Sequence, residues 1–315
     1  MGVISQREAF GKAILDYGYK NPDVVVLDAD TSSSTMSKYF AQQFPDRFFN
    51  VGIAEPCLVD VAVGMALGGH VPFISAFAAL LSLRALEQIR TCVAYAHTNI
   101  KIAAGYAGLS DYKDGPTHHT IMDIGIMRMM PGMTVVVPAD ETEIEGMLPL
   151  IGDLDGPVYL RLSRTGYETV HPSMPAFEIG KGYELKKGKD VTIIAAGAMV
   201  SRSVKAADEL KHAGIDAAVV DLPTIKPLDE QLIINSAETT GAIVTAEEHS
   251  IYGGFGSAVS ELVSEKKPIP LIRVGIKDTF TRTAPDPETL MDAYGLSVED
   301  IVDAAKKAIR LKENK

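Results

Sequence analysis

The stretch Asn50-Val-Gly-Ile-Ala-Glu55-Pro-Cys-Leu-Val59 decides how the rest of the chain is read. An acid, Glu55, sits inside an apolar run, where a strand should give way to the helix-like segment Pro56–Leu67. In an open α/β sheet that edge is where ligands bind. Apolar surroundings disfavour a bare charge, so a carboxylate placed there suits a group that must share a proton. A glutamate in the first turn of a helix also complements the helix dipole. The local pattern leaves both roles open.

The same alternation runs outward in both directions. Short β-branched runs occur at Val24–Leu27, Ile100–Ala104, Thr134–Val137, Val158–Leu162, Val191–Ala195, Ala217–Val220, Ala242–Thr245 and Leu271–Val274. Most are nearly continuous in apolar residues, as a parallel strand covered on both faces requires. Helix-like segments lie between them, clearest at Ser5–Tyr17, Pro56–Leu67, Phe77–Ala96, Ser201–His212 and Val298–Leu311. Strand–helix alternation over the whole chain predicts an α/β architecture. The best boundary is Glu168–Asp190, which holds Pro172, Pro175, Gly180, Gly182 and Gly188 and shows little periodicity. It reads as a linker, residues 169–189, between domains spanning 1–168 and 190–315.

Composition excludes several classes of function. A length of 315 residues suits two domains at roughly 150 residues each. Lys+Arg 30 against Asp+Glu 41 gives a formal charge of −11, which argues against a nucleic-acid or acidic-membrane surface. Two cysteines, Cys57 and Cys92, make neither a disulfide scaffold nor a four-cysteine zinc site. The most apolar stretch, Ile74–Leu83, is ten residues long, whereas a membrane span needs about 20. No signal-peptide pattern is present, and the expectation is a cytoplasmic protein.

Three further features bear on chemistry. Asp114-Gly-Pro-Thr-His118-His119 places two histidines after a turn. Adjacent side chains on a regular element diverge, so a loop His118 that touches substrate fits better than a metal site. Glu247-Glu-His-Ser-Ile-Tyr-Gly253-Gly-Phe-Gly256 joins a strand to a helix, and its amides could hold an anion. Val259 stands where the dinucleotide fingerprint wants its last glycine, so a structural turn is the better reading. Met122, Met127, Met129, Met130 and Met133 read as core or interface. The chain carries no Walker loop, no His-Glu-x-x-His and no Gly-x-Ser-x-Gly. It also has no Gly-Asp-Gly followed by a suitably placed Asn; Gly152-Asp-Leu-Asp-Gly156 does not fit.

Taken in order, several motifs resemble the C-terminal half of transketolase. They are Ser5-Gln-Arg7-Glu-Ala, Asp28-Ala-Asp30-Thr, Val51-Gly-Ile-Ala-Glu55, Pro72-Phe-Ile-Ser-Ala-Phe77, Asp114-Gly-Pro-Thr-His118 and Leu162-Ser-Arg164. The resemblance covers essentially the whole chain. It implies a pyrimidine-binding domain followed by a transketolase C-terminal domain, each a mostly parallel sheet flanked by helices. It also implies thiamine diphosphate as cofactor. The family's diphosphate-binding domain, with its Gly-Asp-Gly metal motif, has no counterpart in these residues. The resemblance is therefore to the smaller chain of a split transketolase. A partner subunit would bring Mg²⁺ and the diphosphate contacts in an α2β2 assembly, and no metal ligand is expected in this chain.

The resemblance also assigns roles. Glu55 matches the catalytic glutamate that hydrogen-bonds N1′ of the aminopyrimidine. Asp30, Ile53, Phe77 and Leu80 match cofactor-binding positions. His118 and Asp114 match residues that meet the ketose hydroxyls, with His118 also catalytic. Arg7, Ser34, Tyr106 and Arg164 match the channel mouth that holds a sugar phosphate, where arginine's planar fork suits an anion. Two positions depart from the family. Leu80 stands where many members have a stacking phenylalanine, and Tyr106 where a phosphate-binding histidine is common. Tyrosine donates a hydrogen bond but carries no charge near neutral pH, which leaves a phosphate, a shorter or branched sugar phosphate, or a sulfonate open. The implied reaction is transfer of a two-carbon ketol unit from a phosphorylated ketose to an aldose. Alternatives are a deoxyxylulose-phosphate synthase-like or 2-oxo acid dehydrogenase β-like subunit, and a non-catalytic binding or regulatory module. The Asp114–His118 loop favours transketolase over the other enzymes.

Overall fold

The computed structural model describes residues 4–171 and 173–314, so Pro172 of the expected linker lies outside the described residues. Among the described residues twelve strands form two sheets. The first has seven strands in the order β10-β5-β6-β4-β3-β1-β2. Its members are β1 (Val24–Asp28), β2 (Phe48–Asn50), β3 (Val71–Phe77), β4 (Lys101–Gly105), β5 (Thr134–Val136), β6 (Val158–Arg161) and β10 (Thr224–Lys226). The second has the order β12-β11-β8-β9-β7, from β7 (Tyr183–Lys186), β8 (Val191–Ala195), β9 (Ala217–Asp221), β11 (Ile243–Ser250) and β12 (Leu271–Ile276). All pairings are parallel except β10 with β5 and β7 with β9.

Helices cover both faces, so the central strands are buried along their full length. Every residue of β1, β4, β6, β8 and β9 is buried, which is why their sequences do not alternate. On one face of the first sheet, helix Gln6–Lys20 packs against helix Glu141–Asp153 through Phe10, Ile14, Ile144, Met147 and Ile151. On the other, Leu58, Val59 and Ala62 of helix Glu55–Leu67 meet Ile74, Leu81 and Ile89. Helices Met199–His212 and Val298–Glu313 cover the second sheet.

Three findings refine the sequence reading. The segment Phe77–Ala96 is not one helix: it begins inside β3 and continues as wide π-type turns at Leu80–Arg84 and Ile89–Tyr95 around a short helix, Leu86–Gln88. Tyr183–Lys186, within the expected linker, is the edge strand β7. Thr224–Lys226, far along the second half of the chain, pairs with β5 and completes the first sheet. Among the described residues no helix is long and apolar enough to cross a membrane.

Candidate active site

The parallel strands of the first sheet all end at one edge. Register places Phe77 beside Gly105, and Asp28 beside both Ser75 and Asn50. The residues that leave this edge are therefore Asp30 after β1, Asn50 to Glu55 after β2, Phe77 at the end of β3, Tyr106 after β4 and Arg164 after β6. Arg7 joins them from the first turn of helix Gln6–Lys20. Gln6 anchors that turn by accepting from the Ser163 amide at 2.8 Å and donating to the Pro138 carbonyl at 2.8 Å.

Glu55 opens helix Glu55–Leu67 with its side chain fully buried. Its Oε2 accepts from Arg84 Nη1 at 2.8 Å, and its Oε1 is buried with no partner among the described residues. Arg84 is half exposed, so one side of the ion pair faces solvent. A buried acceptor left empty costs free energy unless a donor arrives. Ile53, on the turn just before the helix, is 75% exposed, and Leu80 is half-buried at the start of the π-type turn that carries Arg84.

Asp30 is exposed in the left-handed conformation, φ 63°. Asn50 holds it there: Asn50 Nδ2 donates to Asp30 Oδ1 at 2.9 Å, and Asn50 Oδ1 accepts from the Asp30 amide at 3.1 Å and the Gly52 amide at 2.9 Å. Beneath it, Asp28 accepts from the Thr31 amide at 2.5 Å and Ser37 Oγ at 2.9 Å, fixing the short helix Ser32–Thr35 that bears Ser34. Burial pushes the Asp28 carboxyl above its ordinary range against these hydrogen bonds.

Tyr106 is the hub of the second cluster. It too adopts the left-handed conformation, φ 58°, and is almost wholly buried. Phe77 stacks on its ring with centroids 4.4 Å apart, and His118 meets Phe77 edge-on at 6.1 Å. Arg7 Nη1 donates to the Tyr106 hydroxyl at 2.8 Å and to the Ser34 carbonyl at 3.1 Å, while Arg7 Nε is buried without a partner. The Arg164 guanidinium lies 5.2 Å from the Tyr106 ring centroid. It donates to Asp111 Oδ1 at 2.7 Å. Burial and then the neighbouring Asp114 push the Asp111 carboxyl upward, against the pull of Arg164.

The loop after β4 carries Asp114 and His118 on its outer side, Asp114 exposed and His118 half-buried with Nδ1 3.0 Å from Thr117 Oγ1. His119 points inward instead. Its Nδ1 is 2.6 Å from Thr281 Oγ1 and its Nε2 3.0 Å from the Asp111 carbonyl. Burial pushes its imidazole below the ordinary range. It therefore pins the loop to the second domain and is unavailable to a ligand.

Contacts thus join Arg7, Ser34, Phe77, Tyr106, His118 and Arg164 into one cluster, with Asp114 reaching it through Asp111. Glu55 and Asp30 stand at the same edge in separate hydrogen-bonded groups. Sequence reasoning missed Arg84, Asp111 and Asn50. Arg84 lies within an apolar helical pattern, and nothing local marks its reach to Glu55. Asn50 was within sight, three residues from Ile53, and its role follows only from the left-handed backbone at Asp30.

The glycine-rich turn of the second domain behaves differently. The amides of Phe255 and Gly256 donate to Glu247 at 2.6 and 2.9 Å. The carboxylate of the chain itself fills the anion position, which makes the turn structural. Two buried charge groups seal the junction between the domains. Arg161 donates to Asp123 at 2.9 Å and to Glu248 at 3.3 Å. His171 Nε2 lies 2.9 Å from Asp221 and 3.1 Å from Glu143. Burial would lower the His171 imidazole, but the two carboxylates outweigh it and push it up to about 10.

Comparison with known proteins gives matches along nearly the whole chain. The pyrimidine-binding domain model of transketolase matches residues 3–169, and the transketolase C-terminal domain model matches residues 180–301. The 6-deoxy-6-sulfo-D-fructose transketolase subunit SqwH of Clostridium sp. (strain MSTE9) is 40% identical over 306 residues, covering 97% of this chain and 95% of that protein. The 1-deoxy-D-xylulose-5-phosphate synthase of Desulfitobacterium hafniense is 37% identical over 304 residues, covering 95% of this chain but 48% of that protein. A solved split gene transketolase, an inactive beta4 tetramer, superposes with a TM-score of 0.90 at 46% identity, covering 99% of this chain and 100% of that one.

Proposed function

The chain belongs to the transketolase family, and on that premise we propose that it supplies the pyrimidine half of a thiamine diphosphate site in a split transketolase. The observation that carries this reading is the buried, unpartnered Oε1 of Glu55. It is the acceptor that a protonated ring nitrogen of the aminopyrimidine would satisfy. Phe77, at the end of β3, and Leu80, at the start of the turn that carries Arg84, offer apolar surface at the same edge, which Asp30 also faces. When bound, the cofactor supplies the nucleophilic carbon that carries a two-carbon ketol unit from a ketose to an aldose.

The residues of this chain do the rest. Glu55 holds the proton balance at the ring nitrogen, and Arg84 keeps its other oxygen occupied. His118 and Asp114 orient the sugar hydroxyls. Arg7, Ser34, Tyr106 and Arg164 receive the terminal anion of the substrate. Mg²⁺ and the diphosphate contacts come from a separate N-terminal subunit, in an α2β2 complex. Support for a separate partner comes from SqwH, itself a subunit, and from the split gene transketolase, both spanned nearly end to end by this chain. The similarity to deoxyxylulose-phosphate synthase favours that enzyme class as the second reading.

The test is the native mass of the complex purified from its own source, with every chain identified by mass spectrometry. A second chain carrying Gly-Asp-Gly is the expected result. Recovery of this chain alone, retaining no thiamine diphosphate when cofactor and Mg²⁺ are added, would leave a binding module in place of an enzyme. Assays of that complex with a ketose phosphate against pyruvate separate the two enzyme readings.

A further inference from the structure

Charge counting at the Arg7–Tyr106–Arg164 cluster goes one step further, and it rests on the reading of that cluster as the anion end of the substrate channel. Arg164 has its charge matched by Asp111, 2.7 Å away and almost fully buried. Asp114 is a second carboxyl beside Asp111 on the same side. Arg7 is different. Its two hydrogen bonds go to neutral acceptors, the Ser34 carbonyl and the Tyr106 hydroxyl. Among the described residues its Nε is buried with no partner and no carboxylate pairs with it, so a donor and an unmatched charge are left over together. The cluster therefore has one positive charge to offer.

We infer that this end of the channel is built for a terminal monoanion, a sulfonate, in preference to a phosphate dianion. Both groups end in three oxygens of similar arrangement, the ester oxygen setting phosphorus one atom further from the sugar than sulfur; at the anion itself the difference is charge. A sugar phosphate has its second pKa near about 6 and is mostly a dianion at neutral pH, whereas a sulfonate stays singly charged. One unpaired guanidinium balances the sulfonate. A dianion would bring a second charge beside Asp111 and Asp114, and selectivity of this kind arises as much from repulsion of the wrong ligand as from attraction of the right one. Tyr106 is the residue that keeps the count low. It donates without adding charge, and its backbone φ of 58° lies in a region that histidine tolerates comparatively well.

The experiment compares three ketoses of one carbon skeleton on the complex purified from its source: one ending in a sulfonate, one in a phosphate ester and one in a hydroxyl. The expected order of kcat/KM is sulfonate, then phosphate, then hydroxyl, with sulfonate ahead of phosphate by about tenfold or more. Tyr106→His, which restores a chargeable donor, should move the ratio towards phosphate by about tenfold. Tyr106→Phe should weaken both anionic substrates and leave their ratio unchanged. A wild-type complex that prefers phosphate, or treats the two alike, overturns the inference without need of either variant. Turnover of none of the three would instead bring down the ketol-transfer reading beneath it.

Discussion

Two glutamates make the most informative contrast in the molecule. Glu55 and Glu247 are both fully buried. Glu55 opens a helix that follows a strand; Glu247, within β11, caps the helix that follows that strand. Glu55 stands beside the first sheet and Glu247 within the second. Glu247 has both oxygens taken by the amides of Phe255 and Gly256. Glu55 has one oxygen taken by a half-exposed arginine and the other by nothing. A buried glutamate at a strand-to-helix connection is closed by the protein's own backbone in one domain and left open in the other. A buried polar atom without a partner carries a cost, and where it persists at a ligand-binding edge it marks where the missing partner belongs.

The contrast breaks most visibly at Glu55. Glu55→Gln in the assembled complex should lower turnover at saturating cofactor by roughly 10²–10⁴-fold, the scale of lost proton management. Thermal unfolding should hardly move. Full turnover in that variant would remove Glu55 from the chemistry.

Glu247→Ala should give the opposite pattern. Two buried amides lose their acceptor, at a cost of about 1–3 kcal/mol each. The denaturant midpoint should fall accordingly, while turnover per folded complex stays unchanged. A loss of turnover with unaltered stability would mean that the second domain takes part in the reaction.

The smallest effect is expected at Arg84. Its guanidinium is half exposed, but the Glu55 oxygen it leaves behind is buried, so Arg84→Ala should cost about 1–3 kcal/mol in stability. It would leave Glu55 without its one partner, and the cofactor dissociation constant measured by titration calorimetry should change. An unchanged constant would show that Arg84 is a bystander to the site.

Much of this was legible in the sequence, for identifiable reasons. The buried strands β4, β6 and β8 read directly, because continuous runs such as Val158–Leu162 have no other comfortable home. β3 escaped, since Pro72 and Ser75 interrupt it and its apolar end runs on into the turns at Leu80. β2 and β10 have three residues each, and, unlike the equally short β5 with its Val135 and Val136, neither holds a β-branched apolar run. At the site, Glu55 stood out because an acid in an apolar run is locally conspicuous. Arg84 and Asp111 did not, because their significance lies in partners 29 and 53 positions away.

The strand Thr224–Lys226 has a consequence for synthesis. The chain lays down six strands of the first sheet, leaves to build β7 to β9 of the second, and only then returns to cover β5. Until residue 226 has emerged from the ribosome, β5 presents an uncovered edge, the feature through which sheets recruit foreign strands. The first domain is thus stitched shut by a thread from the second. Cutting the gene between them would yield a fragment with an open flank, one prone to aggregate before it could meet a partner.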